Sequence, residues 1–430
     1  MVLSDNKSWL GWVMAGALYL ALVIVTLTGR DGTPEGKILL RFATLNSAIE
    51  LEIAREQASV FEALHPRIHI RVEPITDQSI LVLTAGRVPP DVFWMYDNQI
   101  HDLARGGATL HLDPLVKSDP SFDLSDFYPA MLPLGQYRGQ LHALPRENGL
   151  MVMFYNRDMF QAAGVALPEQ DWTWDDFLAT AKALTRDTNG DGNRDTYGYV
   201  GNPGWVAEQH TWIWQNGGSM FNAALTTCTI NEPAAVEAIQ FFFVDLRKRY
   251  GVSPRAGESR GGSVEEFAMG RAGMMMGIRP HVPYLRKQAR FAWDVTPLPY
   301  RRQRAALTGM AGYAISPRTR HRAEAWEFLK FLVSGDGLKP MIEAGMSMPP
   351  TRSLAKSDLF LKSTPPEHNE VFLDAPERGY LRPVPLVNHF SQVNDIVNRE
   401  LQRAYFGEQT VQQACDRIKS KVDPLLVAYE

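Results

Sequence analysis

The sequence predicts an α/β fold built on a parallel sheet, and three observations carry that reading. The first is a strand, helix, strand opening. Ile38 to Thr44 is a strand-like run, and Leu51, Ala54, Ala58 and Phe61 then recur at helical spacing until Pro66. Ile68, Ile70 and Val72 alternate with Arg67, His69 and Arg71, the period of a strand with one buried face. That order is the unit of a parallel sheet. The second is length, since 430 residues make two or three folding units. The third is composition: 45% hydrophobic residues supply enough apolar area for packed cores and exclude bulk disorder.

Later elements obey the same logic. Pro90-Asp91-Val92-Phe93-Trp94 reads as another short strand. Thr173-Trp174-Asp175-Asp176 has the form of a capping box with Asp in place of Glu. Asn231 is placed to cap a helix with Pro233 in its first turn, Val236, Ile239, Phe243 and Leu246 as its buried stripe, and Gly251 after its end. Ala325, Trp326, Leu329, Leu332 and Val333 mark one more amphipathic helix. No internal repeat or low-complexity tract occurs, which argues against a solenoid.

Trp9 to Leu27 contains no charged residue, and 19 residues at 1.5 Å each make about 28 Å of helix, the thickness of a bilayer core. The sequence therefore predicts an N-terminal transmembrane helix. A cleaved secretory signal is the competing reading, but its apolar region is normally shorter and ends in small residues, whereas Thr26 to Arg30 come next here. Either reading exports the remainder. Asp31 to Gly36 reads as the linker, and the chain beyond Gly36 as a soluble domain outside the cytoplasmic membrane.

Charge and motifs exclude several functions. A formal charge of -4, with no strong Lys/Arg block, makes nucleic acid a poor partner. Two cysteines, Cys228 and Cys415, are too few for a zinc cluster or a disulfide scaffold. Phosphate-loop, dinucleotide-turn, zinc-protease and nucleophile-elbow motifs are all missing. Glu265 and Glu266 are adjacent, point about 100° apart on a helix, and read as a solvated face. Asp187, Asn189, Asp191, Asn193 and Asp195 occupy oxygen-bearing positions of an EF-hand-like loop with Gly192 at the turn. Position 12 is Gly198 rather than a bidentate Glu, so the loop reads either as a calcium site or as an Asx-rich turn.

Gly139-Gln-Leu-His-Ala-Leu-Pro-Arg-Glu-Asn-Gly-Leu-Met-Val-Met-Phe-Tyr-Asn-Arg-Asp-Met-Phe160, followed by Asp171-Trp-Thr-Trp-Asp-Asp-Phe177, resembles the bacterial extracellular solute-binding proteins of the maltose-binding type. Phe267 to Gly277, Asp294 to Pro299, Gly312 to Ser316, Ala325 to Leu332 and Met348 to Arg352 agree in order and spacing, so the resemblance covers roughly 38 to 355. It implies a two-lobed periplasmic-binding-protein fold of type II with a central interlobe cleft. One lobe would hold 38–145 and 301–345, and the other 146–300 and 350–430, with 1–37 as anchor or signal plus linker. It further implies capture of a sugar or sugar derivative for an ABC importer, whose permease subunits and separate ATPase are the partners. No cofactor or catalysis is required of this chain.

Sugar sites combine aromatic plates with hydrogen-bonding side chains. The segments expected at the cleft offer Asn46, Trp94, Tyr96, Asp97 and Met310 on the first side, Arg146, Glu147 and Asn148 at the first crossover, and Trp205 and Arg279 on the second side. Arg279 stands where relatives often carry Trp and admits an anionic ligand. Trp212, Trp214 and Tyr155 read as core residues. Two rival functions share the sequence: a membrane-tethered sensor with the same fold, and an extracellular carbohydrate-active enzyme, which needs a carboxylate pair that no motif identifies.

Overall fold

The computed structural model describes residues 34, 36–76, 80, 83, 89–192, 194–259, 261–387 and 389–426. The predicted span at Trp9 to Leu27 lies outside them, as does Asn193. Among the described residues no helix is long and apolar enough to cross a membrane.

β1 (Ile38–Leu45) leads into α1 (Ala48–Leu64), whose N-cap Ser47 accepts the amide of Glu50. α1 buries Ile53, Ala54, Ala58 and Phe61, and ends at His65, before Pro66. β2 (Ile68–Ile75) and β3 (Val92–Tyr96) then pair in parallel on either side of β1. α2 (Ile100–Arg105) comes after β3, and β4 (Ala143–Pro145) completes the first pass through this lobe.

The chain then crosses into a second lobe. β5 (Val152–Asn156) is followed by α3 (Trp174–Leu184), where Thr173 and Asp176 form the predicted capping box. β6 (Tyr197–Val200), α4 (Val206–Gln215) and α5 (Pro233–Ile239) come next. α5 is capped by Glu232 without a side-chain bond; Asn231 instead donates to Asp416, 2.9 Å away, so a tertiary partner displaces the predicted cap. The helix runs on through a π-helical stretch, Gln240–Asp245, that buries Phe242 and Phe243. Glu266 also departs from expectation. It is buried and paired with Arg271 at 3.1 Å, because its helix packs that face on the lobe.

β7 (Ala272–Gly277) and β8 (Trp293–Thr296) complete the second sheet, in the order β8-β5-β7-β6. The chain returns through β9 (Ala306–Thr308), and β10 (Ala311–Ile315) inserts antiparallel between β3 and β4, giving a first sheet of order β2-β1-β3-β10-β4. α6 (Arg322–Leu332) covers this sheet through Phe328, whose ring lies 5.1 Å from Phe42 and 4.8 Å from Phe61. β11 (Leu381–Pro383) pairs with β9, and α7 (Phe390–Phe406) and α8 (Val411–Leu426) pack on the second lobe. Asn398 of α7 binds Gln209 and the Gly204 carbonyl there. Cys228 and Cys415 are both buried free thiols.

The result is two α/β lobes, each with its own sheet, joined by crossovers that touch. Gly149 donates to the Gly309 carbonyl at 2.9 Å, and a Cβ on Gly149 would lie 2.9 Å from that oxygen, so the outgoing segment is restricted to the smallest residue where the two meet.

Candidate functional site

The carboxyl ends of β1, β3 and β4 and the start of β10 meet at one edge of the first sheet, beside the crossovers. In open α/β sheets this edge is where ligands bind. Asn46 is exposed at the end of β1, its amide bonded to the Ile75 carbonyl.

β3 delivers three of the predicted residues. Trp94 is 1% exposed: it faces Tyr313 in register, stacks edge-on to Tyr96 at 4.4 Å and lies 5.9 Å from the Arg146 guanidinium. It is therefore a floor under the edge, not the open plate expected from sequence. Tyr96 is the exposed ring, at 40%. The Asp97 carboxylate accepts the amides of Met310 and Asn98, each at 2.7 Å, and locks the end of β3 to the returning crossover. Burial pushes its pKa up to about 6.

The outgoing crossover supplies the rest. Arg146 is buried, and its guanidinium donates to both oxygens of Glu50, at 2.6 and 2.8 Å. Glu147 lies 3.9 Å from Arg146, yet desolvation outweighs that charge and raises its carboxyl to about 7. Asn148 accepts the Thr308 hydroxyl through Oδ1. Among the described residues, Trp94 Nε1, Arg146 Nε, Glu147 Oε2 and Asn148 Nδ2 are buried without a hydrogen-bond partner. Four such atoms at one edge are unusual, because buried polar groups are satisfied by protein, by water or by ligand.

The second lobe contributes less than the sequence suggested. Trp205 is half-buried at the N-cap of α4, its ring 6.1 Å from His281. Arg279 is fully buried: it donates to the carbonyls of Gly345 and Ser363 and to Asn369, between the rings of Phe360 and Phe372. Desolvation lowers its pKa to about 9. Its donors are committed to the 345–369 segment, so the arginine is a strut that ties that segment to the second lobe, not a group facing a ligand. Trp212 and Trp214 are buried, with Trp212 against Trp174 and Phe177 at 4.9 and 5.5 Å; Tyr155 is buried in β5.

A cavity of about 690 Å³ is shared between the lobes. Asn98, His101 and Arg105 line its first-lobe side with Tyr137 and Arg138, and Leu386, Val387, His389 and Phe390 face them from the start of α7. Sequence reasoning missed His101, Arg138 and Glu50. Glu50 carries no local signal, because its partner is 96 residues away.

The EF-hand-like loop is closed by its own side chains. Asp187 accepts the amides of Gly190 and Gly192, at 2.7 and 2.8 Å. Asp195 accepts from Thr188 and Asn189, and Asp191 from the Asn189 amide group. These are the bonds of an Asx-rich turn. Elsewhere among the described residues, Asp294, Glu367 and His368 bring possible metal ligands within 4.8 Å of one another. There His368 already pairs with Asp294 at 2.6 Å and Glu367 with Arg157 at 2.8 Å.

Known proteins share this architecture. An ABC substrate-binding protein of Listeria monocytogenes, solved in complex with cycloalternan, superposes with a TM-score of 0.80 at 24% identity, covering 90% of this chain and 98% of that one. UgpB from Mycobacterium tuberculosis, in complex with glycerophosphocholine, superposes at 0.78 with 20% identity, covering 91% and 99%. The sn-glycerol-3-phosphate-binding periplasmic protein of Escherichia coli K12 is 24% identical over 341 residues, 74% of this chain and 75% of that one. The profile of the family described as bacterial extracellular solute-binding protein matches residues 42–338, and with two α/β lobes meeting at paired crossovers the chain belongs to that family.

Proposed function

We propose that this chain is the substrate-binding component of an ABC importer, capturing a carbohydrate or sugar-derived solute between its lobes and presenting the closed form to a permease. The observation that carries the reading is the group of four buried polar atoms on Trp94, Arg146, Glu147 and Asn148 that make no hydrogen bond among the described residues, beside the exposed Tyr96 and next to the Gly149–Gly309 contact. A ligand seated at that edge touches both lobes when they close, and so favours the closed form over the open one. The relatives' ligands, cycloalternan and glycerophosphocholine, support a polyhydroxylated solute. Asn46, Tyr96, Asp97 and Met310 then shape the first-lobe side, and Trp205 is the second-lobe aromatic group.

The permease subunits and ATPase would be separate chains, and catalysis is not part of the role. The location is the periplasmic or extracellular face of the cytoplasmic membrane, with Trp9 to Leu27 as an uncleaved anchor. N-terminal sequencing of membrane-extracted protein tests the anchor, and a mature start between Thr28 and Lys37 would refute it. The binding role is tested by thermal shift across sugars, sugar acids and glycerol phosphates, with small-angle scattering on each hit. A ligand that raises the melting temperature and reduces the radius of gyration is expected. Binding without compaction would refute closure.

A further inference from the structure

We propose that the interlobe cavity between α2, the Tyr137–Arg138 turn and the start of α7 is an oxyanion subsite, so that the captured solute carries a phosphate or carboxylate group. The inference rests on the binding-protein reading and adds the charge of its ligand.

Among the described residues the lining holds two guanidinium groups, Arg105 and Arg138, against one carboxylate, Asp102; His101 and His389 face it as well, and burial lowers the His101 pKa, so its imidazole is there as a neutral hydrogen-bonding group. Asp102 is already paired with Arg105 at 2.5 Å. Arg138 has no carboxylate within ion-pair distance among the described residues; its guanidinium lies over the Tyr137 ring, 5.4 Å from the centroid. A guanidinium held in this way presents a fork of donors that matches phosphate and carboxylate oxygens.

The backbone points to the same place. Arg138 and Gly139 form the two-residue turn between the paired residues Tyr137 and Gln140, with φ of 51° and 76°. Such turns favour Asn or Gly at the first position, because a larger side chain is strained at positive φ. Arginine there opposes the local preference. His389, across the cavity, has φ of 54°. Among the described residues only three non-glycine residues adopt such angles, and two of them line this cavity. Strained residues concentrate where a side chain must be aimed.

The cavity also joins the two lobes, since α2 and the turn belong to the first sheet's lobe while α7 packs on the second. An oxyanion held between Arg138 and the start of α7 therefore adds to the free energy that closes the cleft, and Leu386 and Phe390 leave room for an apolar or C–H face beside it.

The test compares wild type with Arg138→Gly and Arg138→Lys by calorimetry and thermal shift. The probes are sn-glycerol 3-phosphate, glycerophosphocholine, inorganic phosphate, glucuronate and the neutral sugars maltose and trehalose. Glycine suits the positive φ, so Arg138→Gly should melt, without ligand, no lower than wild type. An anionic probe should bind wild type, weaken as salt rises, and lose about tenfold or more affinity in Arg138→Gly, with partial recovery in Arg138→Lys. Phosphate and carboxylate probes separate the two oxyanion sources. If maltose or trehalose binds and compacts the protein while no anionic probe does, the subsite is refuted and the binding role stands. An anionic probe bound equally by wild type and Arg138→Gly also refutes the subsite. Failure of every probe, charged and neutral, to bind would count against both.

Discussion

Glu50, in the first turn of α1, and Arg146, at the start of the outgoing crossover, form a buried bidentate ion pair, 2.6 and 2.8 Å between oxygen and nitrogen. The pair fixes the crossover against the first lobe, directly beneath the proposed ligand edge. Removing one partner strands a buried charge, so Glu50→Gln should cost about 3 to 5 kcal/mol in urea unfolding. Replacing both partners with Leu and Met should cost less than either single change. A Glu50→Gln variant as stable as wild type would show that Arg146 is balanced elsewhere.

Trp94 and Trp205 should separate cleanly. Trp94 is 1% exposed, and its loss opens a cavity in the first lobe, so Trp94→Ala should lose about 3 to 5 kcal/mol of folding free energy with or without ligand. Trp205 is half-buried, and its loss should cost less stability but weaken ligand binding. Paired measurements of unfolding free energy and affinity check this; equal stability losses in the two variants would refute it.

Stability should depend on pH through Glu147. Its carboxyl is raised from 4.5 to about 7 by burial, so the folded state holds the proton more tightly than the unfolded chain. The stabilisation is therefore complete below about pH 4.5 and is lost as pH rises through about 7, on the order of 3 kcal/mol in all. Asp97, raised from 3.8 to about 6, acts in the same direction. His210 and His281, lowered by burial to about 3 and about 4, act oppositely as pH falls below 6.5. The measurement is thus a difference: wild type minus Glu147→Gln, between pH 5 and pH 8. Glu147→Gln should flatten that interval, and an unchanged profile would contradict the assignment.

The crossover contact should be intolerant of a methyl group. Gly149→Ala places Cβ 2.9 Å from the Gly309 carbonyl oxygen, and Gly309→Ala places it 2.9 Å from an Asp97 carboxylate oxygen. Each should destabilise by about 1 to 3 kcal/mol. Gly149→Ala meets backbone and should be the worse of the two, as denaturant midpoints would show.

The Asp187–Asp195 loop uses its carboxylates on its own amides, so calcium must compete with bonds already made. Binding to chelator-treated protein is expected no tighter than about 1 mM, the weak end for extracellular modules. A micromolar constant by calorimetry, abolished in Asp191→Ala, would overturn the turn reading.

The sequence by itself determined the α/β class, the capping box at Thr173 and the core role of Trp212. Each of these is written in local periodicity, local capping chemistry or a contiguous motif. Tertiary structure alone decided which side chains face solvent at that edge. Trp94 and Tyr96 sit two apart on one strand, yet β10 and Arg146 bury the first and leave the second open. Arg279 read as a ligand group because its neighbourhood in sequence is a cleft segment; in space, Gly345, Ser363 and Asn369 take its donors. Asn231 lost its capping role to Asp416, and Glu266 its exposure to Arg271. Apart from Arg271, five positions from Glu266, these partners lie tens to hundreds of positions away in the chain, and no local pattern encodes those distances.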